Sequence, residues 1–198
     1  MQKKCSVIIL AGGKSERMNF PKSYMSIDGK TFIEKIIETY LAFGITEIIA
    51  VMNKDFCEGK WEKYLRKISS KIMIIKNTNS ESGRFHSLKL GLQNLSENMD
   101  CFVQPVDNPF VNEEILNLLW ESKKNVGFVS PVFGTKGGHP ILLSKTMINE
   151  IETIEDADIN LKEIFKPFLK HKVMMKDGLV LRNINTPEDY DQFVNKNL

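Results

Sequence analysis

This sequence predicts an α/β fold of three layers, built on a mainly parallel, doubly wound sheet. Three observations predict it. Apolar runs of strand length alternate with segments of helical period from Val7 to Leu143. The runs are apolar at consecutive positions rather than at every second one, as strands covered on both faces require. Capping residues stand where several helical periods start or stop.

Val7-Ile8-Ile9-Leu10 is the first such strand, closed by Gly12-Gly13. Phe32, Ile33, Ile36, Ile37, Tyr40 and Leu41 recur at helical spacing, with Gly44 as the stop. Ile48 to Met52 is a second strand and Ile72 to Ile75 a third, with Trp61, Tyr64, Leu65 and Ile68 forming a helical face between them. Phe85, Leu88, Leu92 and Leu95 fit one face of a helix opened by Ser87. Cys101 to Val106 is a fourth strand, and Asn112 caps a helix running through Leu119. Val126 to Phe133 and Pro140 to Leu143 read as further strands. Thr186-Pro187-Glu188-Asp189 starts a last helix, with proline in the first turn and acids facing the dipole.

The chain has 198 residues, of which 42% are hydrophobic and 26% charged, so a packed core is expected and disorder is not. No linker or repeat divides it, and one domain over 1–198 is expected. The 27 Lys+Arg nearly balance the 25 Asp+Glu, which removes the basic excess that nucleic-acid or membrane-surface binding needs. The apolar run Val7–Ala11 is far short of a membrane span. Cys5, Cys57 and Cys101 are odd in number and lack C-x-x-C spacing, so they read as free thiols in a reduced, cytoplasmic protein.

Parallel sheets bind ligands beyond the C-terminal ends of their strands, which directs attention to the loops after Leu10, Ile75 and Val106. The first reads Leu10-Ala11-Gly12-Gly13-Lys14-Ser15-Glu16-Arg17-Met18-Asn19-Phe20-Pro21-Lys22. Two glycines permit close backbone approach, Arg17 offers a planar fork and Lys22 a mobile point charge, a set suited to a polyphosphate. The same glycines would also serve an ordinary strand-to-helix turn. Neither a Walker A loop nor a G-x-G-x-x-G dinucleotide fingerprint is present.

L-A-G-G-x-S-x-R-M followed by Lys22 resembles the signature of nucleotidyltransferases of the nucleotide-diphospho-sugar transferase fold. Among these it resembles most the molybdenum cofactor cytidylyl- and guanylyltransferases. The resemblance implies that Leu10, Ala11, Gly12 and Gly13 hold the nucleotide, Arg17 the triphosphate, and that Lys22 neutralises the reacting phosphates. The motif usually continues Met-Gly; here Asn19 follows, the non-glycine residue that best tolerates positive φ. Asp107, in Val106-Asp107-Asn108-Pro109, reads either as a turn aspartate or as a divalent-cation ligand, and the resemblance implies the Mg²⁺ ligand.

Ser82, Gly83 and Ser87 resemble the base-binding segment of the cytidylyl branch, although Arg84, Phe85 and His86 replace its small residues. Gly137-Gly138-His139-Pro140 resembles a Gly-His-Pro element of that branch and implies an acceptor contact for His139. Residues 156–162 loosely resemble an acceptor-side segment, with Lys162 where arginine is commoner. Asn183 and Asn185 resemble the guanylyl branch, implying an acceptor contact for Asn183 and a neutral metal ligand for Asn185.

The function implied is Mg²⁺-dependent transfer of a nucleotidyl group, from CTP in the first reading, to a phosphate-bearing acceptor, molybdopterin or its molybdenum form. GTP is the alternative donor and a sugar or polyol phosphate the alternative acceptor. A molybdenum hydroxylase or oxidoreductase apo-enzyme is the implied partner. A non-catalytic cofactor chaperone would have little reason to keep both Lys22 and Asp107.

Overall fold

A computed structural model describes residues 3–96, 99–155 and 159–195. β1 (Ser6–Ala11) leads through a long loop into a small hairpin, β2 (Ser26–Ile27) and β3 (Lys30–Thr31), and then α1 (Phe32–Phe43). β4 (Glu47–Asn53), α2 (Glu62–Ile68), β5 (Met73–Asn77), α3 (Gly83–Leu92), β6 (Cys101–Pro105) and α4 (Glu113–Glu121) follow. β7 (Phe128–Phe133), β8 (Lys136–Gly137), β9 (Ile141–Leu143), α5 (Lys145–Glu152), α6 (Leu161–Phe165), β10 (Lys170–Met174) and α7 (Pro187–Asn195) complete it.

The sheet runs β5-β4-β1-β6-β9-β7-β10, with β8 paired to β7. β1, β4, β5 and β6 are mutually parallel, as are β7 and β10, while β9 and β8 run against their neighbours. The sheet is thus mostly parallel with helices on both faces.

Alternation along β1 explains its unbroken apolar run. Val7, Ile9 and Ala11 enter a core shared with α1 and α4, whereas Ile8 enters a second core with Phe85, Leu88 and Leu92 of α3 and Met147, Ile148 and Ile151 of α5. Thr31 and Glu34 form a reciprocal capping box on α1, and Gly44, at φ 97°, ends it. Asn112 caps α4 through the Ile115 N–H. Thr186 accepts from the Asp189 N–H and Asp189 from the Thr186 N–H, fixing the start of α7.

Two expectations are corrected. Leu41 belongs to the apolar set of α1 by spacing, yet it is 37% exposed and Phe43 takes the buried position. α3 begins at Gly83, so Ser87 sits in its second turn instead of opening it, and Leu95 lies beyond its end. The antiparallel pairing of β9 between β6 and β7 is consistent with the mainly parallel sheet expected. The three cysteines are free and buried, as expected of structural thiols, and burial pushes the Cys101 thiol up to about 12.

Candidate active site

Register brings the first loop and Asp107 together. Leu10 at the end of β1 lies opposite Pro105 at the end of β6, and the Leu10 carbonyl accepts from the Val106 N–H at 3.1 Å. The residues after each strand therefore emerge side by side at one sheet edge, the C-terminal one.

The loop is held by its own residues. Met18 is buried as an anchor; Ser15 and Asn19 take left-handed backbone at φ 55° and 50°, the latter as the Met-Asn departure predicts. The Ser15 hydroxyl accepts from the Lys22 N–H at 3.1 Å. Tyr24, two residues on, stacks on Tyr64 at 4.6 Å and on Trp61 at 5.7 Å and donates to the Phe56 carbonyl, tying the Lys22 turn to the segment around α2. Gly12 is required by the protein's own packing: a Cβ there would lie 2.8 Å from the Ser87 Oγ and 3.1 Å from the Asn77 Nδ2. Gly13 faces open space, where a phosphate could meet its amide.

Asp107 is positioned from behind. Gln104, buried in β6, accepts from the Tyr40 hydroxyl and donates to the Pro105 and Asn108 carbonyls. The Asn108 amide donates to the Leu179 and Val180 carbonyls, and the Ile184 N–H donates to the Asp107 carbonyl at 2.8 Å. These contacts fold the C-terminal segment over the turn and deliver Asn185 to the site.

There the Lys22 ammonium donates to the Asn185 Oδ1 at 2.7 Å and stands 3.8 Å from the Asp107 Oδ2. Burial pulls the Lys22 ammonium below the usual lysine range. Asp107 opposes that pull, while Arg17 and Arg84 reinforce it. The Asn185 amide oxygen, expected as a neutral metal ligand, accepts here from the half-desolvated Lys22 ammonium. The other carboxylate oxygen, Asp107 Oδ1, is buried with no hydrogen-bond partner. A carboxylate oxygen without a protein partner, on a residue that lines the adjacent cavity, fits a hard divalent cation. Among the described residues no three His, Cys, Asp or Glu side chains converge to form a complete cage. Mg²⁺ held by one carboxylate, with water and substrate phosphates as its other ligands, suits that donor set.

A cavity of about 270 Å³ gathers the predicted residues: Leu10, Ala11, Gly12, Gly13, Arg17, Lys22, Gly83, Ser87, Asp107, His139 and Asn185 all line it. Arg17 is exposed, with no ion pair among the described residues. Ser87 accepts from the buried Asn77 amide at 3.1 Å. Gly83, at φ 76° and ψ −171°, occupies backbone that only glycine visits readily.

The other predicted residues fall elsewhere. Ser82 lines an adjoining cavity of about 910 Å³, which shares Gly83, Arg84, His139, Ile141 and Leu161 with the first. Asn183 lines neither cavity. The chain is pinned at Ile184, and Asn183, expected as an acceptor contact, falls in a separate depression with Phe110, Arg182 and Asp189. His86 also lines neither cavity, and residues 156–158 lie outside the described residues. Arg84, visible in the sequence only as a departure from small residues, borders both cavities. Gln104 and Asn77 carried one signal, a lone amide in an apolar strand or at its end.

His139 sits at the shared wall, its N–H bonded to the Val180 carbonyl at 2.9 Å and its Nδ1 buried without a partner. Burial pushes the imidazole down to about 4, Arg84 adds to the fall and Asp107 opposes it. The folded chain therefore binds this proton more weakly than the unfolded chain, whose histidine titrates near 6.5. Stability from this group is whole above pH 6.5 and declines as pH falls from 6.5 toward 4, by up to about 3 kcal/mol. Urea unfolding of wild type and His139→Gln at pH 7 and 4.5 checks it: the wild type should lose more stability on acidification than the variant.

Residues 7–173 match the model of the MobA-like NTP transferase domain. The chain belongs to that family. It is a nucleotidyltransferase. The chain is similar to a probable molybdenum cofactor guanylyltransferase of Clostridium perfringens, 28% identical over 206 aligned positions, covering 98% of each chain. It is also similar to the molybdenum cofactor cytidylyltransferase of Escherichia coli K12, 27% identical over 184 positions and 92% of each chain. The solved structure of Rv0371c from Mycobacterium tuberculosis H37Rv superposes with a TM-score of 0.79 at 16% identity, covering 98% of this chain and 100% of that one, which establishes a shared fold. No helix among the described residues is long and apolar enough to cross a membrane.

Proposed function

We propose that this enzyme transfers a nucleotidyl group from an NTP to the phosphate of molybdopterin or its molybdenum form and releases pyrophosphate, with Mg²⁺ as cofactor. The observation that carries the reading is the convergence of Lys22, Asn185 and the orphaned Asp107 oxygen beside the open face of Gly13.

An oxygen of the acceptor phosphate attacks the α-phosphorus, and the bond to the bridging oxygen of the β-phosphate breaks. A phosphate monoester is already largely dianionic near pH 7, so no side chain has to remove a proton. The work left to the protein is alignment and charge neutralisation. Arg17 and the Gly13 amide hold the β- and γ-phosphates, and Lys22, oriented by Asn185, meets the charge that develops as pyrophosphate leaves. Asp107 would hold Mg²⁺, which when bound neutralises the reacting phosphates. His139, uncharged at neutral pH, donates or accepts a hydrogen bond without adding charge.

CTP is the first reading for the donor, on the Gly-His-Pro element whose histidine lines the cavity. GTP is the second, favoured by the asparagines of the C-terminal motif and by the Clostridium relative. Thermal unfolding with Mg²⁺ and each NTP tests both. A nucleotide at 100 times its Kd adds about 2.7 kcal/mol to the folded state, so the true donor should shift the midpoint most. Pyrophosphate release that requires added molybdopterin is the expected second result, and no shift with any NTP would end the reading.

A further inference from the structure

The larger of the two adjoining cavities does no work in the account so far. It opens on the first through the Arg84 and His139 walls, and at about 910 Å³ it exceeds what a small polyol phosphate would fill. Its floor is apolar: Ile141, Phe128 and Phe165, the two rings 5.1 Å apart and tilted at 51°. Such a wall suits a flat ring system.

Polar side chains border that floor: Asn160, Lys162, Lys166 (paired with Glu163) and Lys170. Lys170, on the outermost strand β10, has its ammonium 5.6 Å from the Phe128 ring centroid. Gly137 leaves the corner at Lys170 open: a Cβ there would lie 3.3 Å from the Lys170 ammonium and 3.6 Å from the Ser130 hydroxyl. Ser130 is buried in β7, lines the cavity, and its hydroxyl donates to the Pro131 carbonyl. Glu81 also lines the cavity, but its carboxylate is paired with Lys14. Lys170 itself has no carboxylate partner among the described residues, and Lys172, two residues on along the same strand, adds a second positive charge nearby.

Lys170 lines the second cavity and not the first, while Lys22 and Asp107 line the first and not the second. β7 and β10 lie two and three strands from β6, or about 10 and 14 Å across the sheet at ordinary strand spacing. A phosphate held at Asp107 is therefore out of reach of Lys170.

We propose that the second cavity seats the acceptor, and that Lys170 binds an acidic group on a ring-bearing acceptor distinct from the phosphate that reacts. This rests on the nucleotidyl-transfer reading and specifies its acceptor class: a molecule with a flat ring body and two separated anionic groups. Lys170 is a specificity residue, remote from the reacting atoms.

Steady-state kinetics of the full chain with Mg²⁺, CTP or GTP, and purified molybdopterin test this. Lys170→Gln should raise KM for molybdopterin about 10- to 100-fold, the loss of one charge-assisted hydrogen bond, with little change in kcat or in KM for the nucleotide. Lys170→Arg should restore most of the affinity, and the salt dependence of molybdopterin binding should weaken in Lys170→Gln. Gly137→Val, which fills the corner from the opposite side, should reproduce the KM effect. A molybdopterin KM within twofold of wild type in both Lys170→Gln and Gly137→Val overturns the proposal while leaving nucleotidyl transfer intact. A wild-type enzyme that binds nucleotide but not molybdopterin overturns the acceptor reading and this inference with it.

Discussion

Asp107→Asn should lower turnover by about 10²–10³, the usual cost of removing one preorganised charged contact in a transfer reaction. The substitution keeps the shape of the side chain. It also spares the Asp107 carbonyl, which accepts from Ile184 and so still holds the C-terminal segment in place. What it removes is the formal charge and the orphaned oxygen. The variant should therefore remain folded, losing no more than about 1–3 kcal/mol as Lys22 loses its counter-charge. It should also need more Mg²⁺ to reach half-maximal rate. Activity against Mg²⁺ concentration, beside urea unfolding of the same sample, decides it; near-normal turnover would remove the metal assignment.

Lys22→Ala should cost a similar factor, again about 10²–10³ in turnover, but with a different signature. The ammonium donates to Asn185 and stands 3.8 Å from the Asp107 carboxylate, linking the two. Its loss should leave the Mg²⁺ requirement near the wild-type value while the chemical step slows. If the two side chains meet the same phosphates, as proposed, the double variant should lose less than the product of the single effects. Single-turnover rates for wild type, both single variants and the double variant measure that coupling. Fully multiplicative losses would mean that the two residues act at separate steps.

Much of this architecture was legible in the chain. Val7–Leu10 and Ile48–Met52 are apolar throughout, and Cys101–Val106 is so but for Gln104, because helices cover both faces, and that pattern survives without coordinates. Gly44 as a stop, and Asn112 and Thr186 as caps, were readable because a cap is made within a few residues. β10 was not legible. Its Lys-His-Lys-Val-Met sequence is polar because it forms an outer edge, and only pairing with β7 makes it a strand. α5 and α6 were passed over although both carry apolar faces, Met147, Ile148 and Ile151 in one and Leu161, Ile164 and Phe165 in the other: eight and five residues are too few turns to display a helical period.

Residue types within one loop announced the polyphosphate chemistry: paired glycines, a guanidinium and a lysine need only local backbone to form an anion site. The partners of that chemistry come from far along the chain. Lys22 and Asn185 are 163 residues apart, and only the hydrogen bonds from Asn108 and Ile184 bring the C-terminal segment over the Asp107 turn. Asn185 therefore orients a lysine, Asn183 leaves the site, and Arg84 enters it. Local rules act over a few residues, where entropy is cheap and patterns repeat. Long-range contacts depend on the register of β1 against β6, a property of the assembled sheet that no single segment encodes.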